Sequence, residues 1–212
     1  QIANSKLAAR KPLEAFDFNL DNYFKDYVEY NLYTTSTLTL GDTLGSKINT
    51  VKMMYKSLIP YETPEQIIKI SDYNRIAKLY GNKEYTLNEN EYMIIADYDN
   101  MAQIRNIALK NNEKITVFDH ELVPKFDECQ YGFVEISSSH INSGIIVVPD
   151  DIVEEDNIAY NSIIGNYYTD DLDEQKGIQE QIKNLVKNPI SAEYCLPTIN
   201  SKSDISEASI GI

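Results

Sequence analysis

The most regular pattern of apolar and polar positions in the chain predicts a strand followed by a helix and a turn. Apolar and polar side chains alternate at Tyr27–Tyr33, which predicts one strand, and residues 67–70 predict another. Helical spacing follows, with apolar side chains at Tyr73, Ile76, Ala77 and Tyr80. We expect Ser71 to cap this helix and Gly81 to end it, because glycine tolerates the left-handed conformation.

Further strands and helices are predicted along the rest of the chain. The predicted strands are residues 92–96, 114–120, 131–136, 144–149 and 158–168, and the predicted helices are one capped by Asn100 and one over 173–188. Gly41, Asp42 and Gly45 predict a turn region, whereas residues 53–59 fit either a helix or a strand. Because strands and helices are mixed without strict alternation, the fold class is predicted as α+β, with a mixed or mainly antiparallel sheet and flanking helices.

Length and composition predict one folded body of ordinary size. The chain has 212 residues, of which 42% are hydrophobic, and this is enough for one core or for two lobes that share one. Its net charge is −14, so nucleic acid is not expected as a partner, because binding phosphates requires clustered Lys and Arg. A cationic partner suits this charge better, although acidity also serves solubility alone.

The acidic residues are distributed unevenly. Residues 126–175 contain no Lys or Arg and twelve acidic residues. The candidate ligand-binding surface taken from this window consists of Asp150, Asp151, Glu154, Glu155, Asp156, Asp170, Asp171, Asp173 and Glu174. The alternative for Asp150 and Asp171 is helix capping. Tyr23, Tyr27, Tyr30 and Tyr33 either form a recognition face or fill the core.

No sequence motif for catalysis or cofactor binding is present. The chain lacks G-x-S-x-G, G-x-G-x-x-G and the phosphate-binding G-x-x-x-x-G-K-[ST]. Its only histidines are His120 and His140, and the spacing of Cys129 and Cys195 matches no metal site, although a disulfide and two free thiols both remain open. The sequence therefore predicts a non-catalytic domain without a metal or a cofactor.

Three segments resemble the large extracellular loop of FtsX-like ABC transporter permeases of the Bce type. These are Ile70–Gly81 followed by Tyr85–Tyr92, Ile145–Val153 with its I-V-V-P-D-D pattern, and Ser206–Ile212, which looks like the entrance to a membrane helix. The resemblance implies an external α+β domain at residues 13–201, as one body or two lobes. It also implies membrane-proximal stalks at 1–12 and 202–212.

The resemblance also implies a function. Such permeases work with ATPase subunits and a histidine kinase to give resistance to cell-wall-targeting peptides such as bacitracin and nisin-like lantibiotics. The loop domain would lie on the outer side of the cell membrane and bind the cationic peptide, alone or with its lipid-linked cell-wall precursor. The alternatives are a coupling domain of an FtsX-like permease that contacts a lipoprotein or a cell-wall hydrolase, and a secreted hydrolase, which the missing motifs disfavour.

Overall fold

The structure, a computed structural model, describes residues 19–132, 134 and 143–186. Within these residues the chain forms two compact units. The first unit comprises 19–31 and 159–186, and the second comprises 32–132, 134 and 143–158. The predicted stalks at 1–12 and 202–212 lie outside the described residues. The α+β fold class with a mixed sheet is confirmed.

The strands and helices alternate irregularly along the chain. In chain order they are β1 Phe24–Tyr33, α1 Leu40–Leu44, α2 Ile48–Met54, β2 Ile67–Lys69, α3 Ile70–Tyr80, β3 Glu91–Ile95, α4 Asp99–Lys110, β4 Ile115–Val117, β5 His120–Pro124, β6 Ile145–Val148, β7 Ile158–Tyr167 and α5 Leu172–Val186. Short 3-10 turns occupy Leu20–Asn22, Gly45–Lys47, Asp150–Ile152 and Glu155–Asn157. None of the helices within the described ranges is both long and apolar enough to cross a membrane.

The second unit is built on a mixed sheet with β6 near its centre. The strand order is β4-β5-β3-β6-β2, and the last residue of β1, Tyr33, pairs antiparallel with Ile67 of β2. Strand β6 runs antiparallel to β3 and parallel to β2, so that Ile146 lies between Ile94 and Ile67. All four residues of β6 are buried, as its continuous apolar sequence predicts for a strand covered on both faces.

The first unit combines β1, β7 and α5. Strand β7 is the neighbour of β1, and Asn161 of β7 donates from its side-chain amide to Oδ1 of Asn31 at 2.9 Å. The small core contains Leu20, Phe24, Ile163, Tyr167 and Ile178. Burial of Ile178 agrees with the predicted amphipathic helix, which begins at Leu172 and is described to Val186.

A buried ion pair joins α4 to the segment that precedes β2. The guanidinium of Arg105 donates to both carboxylate oxygens of Glu65, at 2.6 and 2.9 Å, and Nε donates to the carbonyl of Ser143 at 2.8 Å. The two side chains are only 2% and 5% exposed. Gly144 passes directly over this pair with φ +134°, and a Cβ at that position would lie 2.3 Å from Nε of Arg105. A residue with a side chain at 144 would therefore displace the ion pair.

Several predicted boundaries are wrong. The predicted turn region around Gly41 and Asp42 is helix α1, because Thr39 and Asp42 form a capping box in which each side chain accepts from the other's backbone N–H. Asn100 lies inside α4, which follows Tyr98, and therefore does not cap it. Residues 53–59 fitted either a helix or a strand. In the structure, helix α2 ends at Met54 and the rest of this stretch is a loop.

The predicted strand at 114–120 is shorter than expected and is followed by a strand that was not predicted. It ends at Val117, and Phe118 and Asp119 turn the chain with positive φ of 47° and 63° into β5. Half of the strand predicted at 131–136 lies outside the described residues, and the described half, Tyr131, Gly132 and Val134, is not in a strand.

Gly81 adopts φ +71° at the end of α3, in agreement with its predicted role. Ser71, in contrast, is not the N-cap. Helix α3 begins at Ile70, one residue before Ser71, and the N-cap residue is Lys69, whose side chain makes no capping hydrogen bond.

Candidate functional site

The candidate acidic surface divides between the two units. Asp150, Asp151, Glu154, Glu155 and Asp156 form the 150–156 segment of the second unit, and the 168–174 segment of the first unit contains the other four acids. Each segment is therefore described by itself.

The 150–156 segment leaves β6 at Pro149 and is held against the core of the second unit by apolar side chains. Ile152 is buried in the main cluster of that unit, and Val153 packs against the same cluster. The backbone of the segment is thus fixed by burial, and its acidic side chains extend from a defined position.

Asp150 stabilises the start of α3. The backbone N–H of Ser71, in the first turn of that helix, donates to Oδ1 of Asp150 at 3.1 Å. The first N–H groups of a helix have no partner within the helix, and a negative charge there also interacts favourably with the helix dipole. Asp150 thus caps a helix that is distant in the sequence, whereas the 3-10 turn at 150–152, which Asp150 itself begins, has no side-chain cap.

Glu155 is engaged by two groups of the same unit. Its Oε2 accepts from the hydroxyl of the buried Tyr33 at 2.8 Å, and its Oε1 forms an ion pair with Lys69. Burial lowers the pKa of Lys69, but the hydrogen bond and the charge of Glu155, together with Tyr33, outweigh this effect and raise the pKa above its ordinary value. Lys69 therefore stays protonated and largely balances the charge of Glu155.

The remaining acids of this segment are less engaged. Glu154 accepts from the side-chain amide of Asn157 at 3.0 Å. Asp151 and Asp156 are exposed, and within the described part of the chain no hydrogen bond or ion pair reaches their carboxylates. The two acids that contact residues far away in the sequence, Asp150 and Glu155, are thus committed to the fold.

The 168–174 segment connects β7 to α5 and is fixed by backbone contacts. The N–H of Tyr168 donates to the carbonyl of Tyr23 at 3.1 Å, and the N–H of Asp171 donates to Oγ1 of Thr169 at 3.1 Å. The side chain of Gln175, only 5% exposed, donates to the carbonyl of Thr169 at 2.9 Å. These contacts define the path of the chain before the helix begins.

Asp171 caps α5, in agreement with the capping alternative predicted for it. Its Oδ1 accepts from the N–H groups of Asp173 and Glu174 at 2.9 and 3.3 Å. This contact fixes the first turn of the helix, on which Asp173 and Glu174 are both exposed.

Two large apolar side chains lie exposed among these acids, and their exposure is not predicted by the sequence pattern. Tyr168 is 58% exposed and Leu172 is 52% exposed; Asp170 lies between them and Asp173 and Glu174 follow them, and these acids are also exposed. One sequence signal for the exposure of Leu172 is available. Leu172 is not on the helical face that contains the other apolar positions of α5, such as Ile178. The segment therefore presents both acidic and apolar groups to solvent.

The four tyrosines at 23–33, in and just before β1, do not form an open recognition face. Tyr30 and Tyr33 are 1% and 0% exposed, and Tyr23 and Tyr27 pack partly buried against the core of the first unit. The core-filling alternative is therefore confirmed for Tyr30 and Tyr33.

The structure contains no candidate metal cluster in its described ranges, where no group of three or more His, Cys, Asp and Glu side chains is placed to hold a metal ion. Cys129 has a free thiol, and burial raises its pKa to about 11, so that it is a poor nucleophile near neutral pH. His140 and Cys195 lie outside the described residues.

Comparison with known proteins identifies no relative: no family model, no curated protein and no solved structure matches the chain.

Proposed function

We propose that the chain is a non-catalytic extracellular domain of an ABC transporter permease of the Bce type, and that the 168–174 segment contacts a cationic, amphipathic antimicrobial peptide. The observation that carries the proposal is the exposure of Tyr168 and Leu172 next to Asp170, Asp173 and Glu174. The domain would lie on the outer side of the cell membrane, with ATPase subunits and a histidine kinase as partners of the parent permease.

The two kinds of side chain would make different contributions to binding. Covering an exposed side chain such as Leu172 or Tyr168 contributes about 1.5–3 kcal/mol when burial is complete, and less when it is partial. An exposed ion pair contributes only about 0.2–1 kcal/mol. The apolar contacts would therefore supply most of the affinity, whereas the acids would select a cationic ligand and accelerate its association.

The first unit also provides a fixed platform for such a contact. Asp171 and Gln175 hold the backbone of the segment through hydrogen bonds of 2.9 to 3.3 Å. A segment that is already ordered loses little conformational entropy when a ligand binds. A peptide ligand would then bear most of the ordering cost.

Titration of the 212-residue chain with nisin and with bacitracin by calorimetry, at low and at high ionic strength, tests the proposal. We expect the triple variant D170N/D173N/E174Q to bind the peptide about tenfold more weakly at low salt, as three exposed ion pairs are lost. The effect should shrink at high salt because exposed charges are screened. The matched control, D151N/E154Q/D156N, removes the same charge from the 150–156 segment and should change the affinity little.

A second pair of variants separates the apolar contribution. Y168S/L172S should weaken binding by a factor that is the same at low and at high salt, since burial of apolar surface does not depend on screening. If the two triple variants lose the same amount of affinity, the peptide responds to the net charge of the whole chain and not to a contact with the 168–174 segment. Unchanged affinity in D170N/D173N/E174Q and in Y168S/L172S, or no binding of either peptide by the parent chain, would refute the proposal.

A further inference from the structure

Helix α2 and the loop after it expose a second surface, which differs from the rest of the chain in its charge. We call it the tip and define it as Lys52, Met53, Met54, Lys56 and Leu58. Met53, Met54 and Leu58 are 76%, 62% and 101% exposed, and both lysines are exposed. Single exposed apolar residues are common on proteins, but three within six residues concentrate apolar surface in one short segment, and concentrated exposed apolar surface is typical of interaction sites.

The tip is held outward by buried residues on either side of it. Val51 and Ile59 are 0% and 8% exposed and belong to one apolar cluster of the second unit, against which Tyr55 packs partly buried. Met53 follows Val51 by two residues, which is about 200° around a helix. Burial of Val51 therefore directs Met53 away from the core.

The charge of this region has the opposite sign to that of the whole chain. No Asp or Glu occurs from Thr43 to Tyr61, whereas the full chain has a net charge of −14. The acid-free stretch contains three lysines. An anionic partner is therefore the complementary one for this region alone.

Two of these lysines supply the available positive charge. Lys47 lies near Glu113: burial raises the pKa of that carboxyl group, but hydrogen bonds from Ser46 and the charge of Lys47 contribute to a net lowering. Lys47 is thus partly balanced. Lys52 lies with its Nζ 5.0 Å from the ring centroid of Tyr61, and no ion pair with Lys52 or Lys56 is found among the described residues.

We propose that the tip contacts the surface of an anionic lipid bilayer, with Met53, Met54 and Leu58 below the headgroups and Lys52 and Lys56 at the level of the lipid phosphates. Apolar side chains flanked by lysines are typical of segments that lie in the bilayer interface. A specific protein interface buries about 1,200–2,000 Å² with complementary shape, far more than three side chains provide. A bilayer requires no such shape and accepts flexible methionine side chains.

The contact is weak and reversible, because it uses two lysines and three apolar side chains. Its orienting role rests on the proposed place of the domain at the membrane, but the contact itself does not depend on peptide recognition by the 168–174 segment. The two proposals can therefore fail separately.

The chain contains no tryptophan, which allows a direct measurement. The variant L58W places a single fluorophore in the tip. We expect its emission to shift to shorter wavelength when phosphatidylglycerol vesicles are added, and to shift much less with phosphatidylcholine vesicles. The control is Y131W, which places tryptophan at a position that is 59% exposed and outside the tip, and whose emission should not change.

Two further variants in the L58W background test the two contributions. M53S/M54S should lower the partition coefficient for phosphatidylglycerol vesicles at least about tenfold, because two exposed apolar side chains are lost. K52Q/K56Q should lower it by a similar factor, as each lysine near an anionic surface contributes about 1 kcal/mol. Circular dichroism should show both variants folded, since all four side chains are exposed.

Several outcomes would overturn the proposal. No shift of L58W with either vesicle excludes a bilayer contact, and an equal shift in L58W and Y131W excludes the tip as its location. If the emission of L58W shifts as the protein concentration rises without lipid, the tip contacts a second copy of the chain and not a bilayer. An equally strong shift with soluble polyglutamate assigns it to an acidic protein.

Discussion

The 150–156 and 168–174 segments look alike in the sequence and differ in the structure. Both are rich in acids and lie in a window without Lys or Arg. In the first segment, Asp150 binds the start of α3 and Glu155 binds Lys69 and Tyr33. In the second, only Asp171 is used as a cap, and the other acids face solvent beside Tyr168 and Leu172. A high density of acids thus does not show how much of the charge is available to a ligand.

The largest expected effect concerns stability of the second unit. D150A/E155A should lower the free energy of unfolding by about 2 kcal/mol, because a helix-capping contact and a hydrogen bond to the buried Tyr33 are both lost. Urea denaturation should show a lower midpoint with an unchanged slope. D151A/D156A removes the same charge and should stay within about 0.5 kcal/mol of the parent chain. Equal destabilisation by both pairs would mean that Asp150 and Glu155 are no more committed to the fold than Asp151 and Asp156.

A smaller effect is expected at the helix of the first unit. D171A should destabilise the start of α5 by about 1 kcal/mol, because the N–H groups of Asp173 and Glu174 lose their acceptor. Hydrogen exchange at these two amides, measured by NMR, should become faster. The control D173A removes an acid from the same turn but keeps the cap, and should cost only about 0.3–0.5 kcal/mol. Faster exchange in D173A than in D171A would contradict the capping role.

The smallest effect is a shift in the titration of Lys69. In E155Q, we expect the pKa of Lys69 to fall, because burial still lowers it while the charge of Glu155 is gone; glutamine keeps an acceptor for Tyr33. NMR titration of the Lys69 side chain measures this value. A rise, or no change, would show that Glu155 does not hold the ammonium group in solution.

The same contact makes stability depend on pH in a defined direction. The pKa of Lys69 is raised in the folded state above its ordinary value of 10.5. Its stabilising contribution is therefore fully present at pH below that value and is lost as the pH rises through the folded-state pKa. The stability difference between the parent chain and E155Q should decrease over that alkaline range.

Local patterns predicted the elements that depend on neighbouring residues. The helical spacing at Tyr73, Ile76 and Ala77, the left-handed Gly81 and the fully apolar β6 were all predicted, and each is defined within a few positions of sequence. Helix α1 was mistaken for a turn because Gly41 and Gly45 outweighed the capping pair Thr39 and Asp42. Strand β5 was missed because His120, Glu121 and Pro124 disguise a strand that is stabilised by pairing with β3 and β4.

The use of the acids depends on contacts that sequence separation hides. Asp150 reaches Ser71 across 79 positions, and Glu155 reaches Lys69 across 86. No periodicity links such residues, so the sequence could locate the acidic window but could not divide it into committed and available side chains. Exposure of Leu172 is likewise a property of where α5 begins, and the predicted start of this helix differs from the observed one by one residue.

The Glu65–Arg105 pair has a consequence for how α4 finds its place in the second unit. A buried ion pair adds little net stability over apolar side chains, but separating its partners costs about 3–5 kcal/mol. If α4 were shifted along the sheet by one turn, the guanidinium of Arg105 would remain buried but would no longer contact the carboxylate of Glu65. The pair thus contributes little to how strongly the helix is held, but it penalises any shifted position of α4 in which Arg105 stays buried without Glu65.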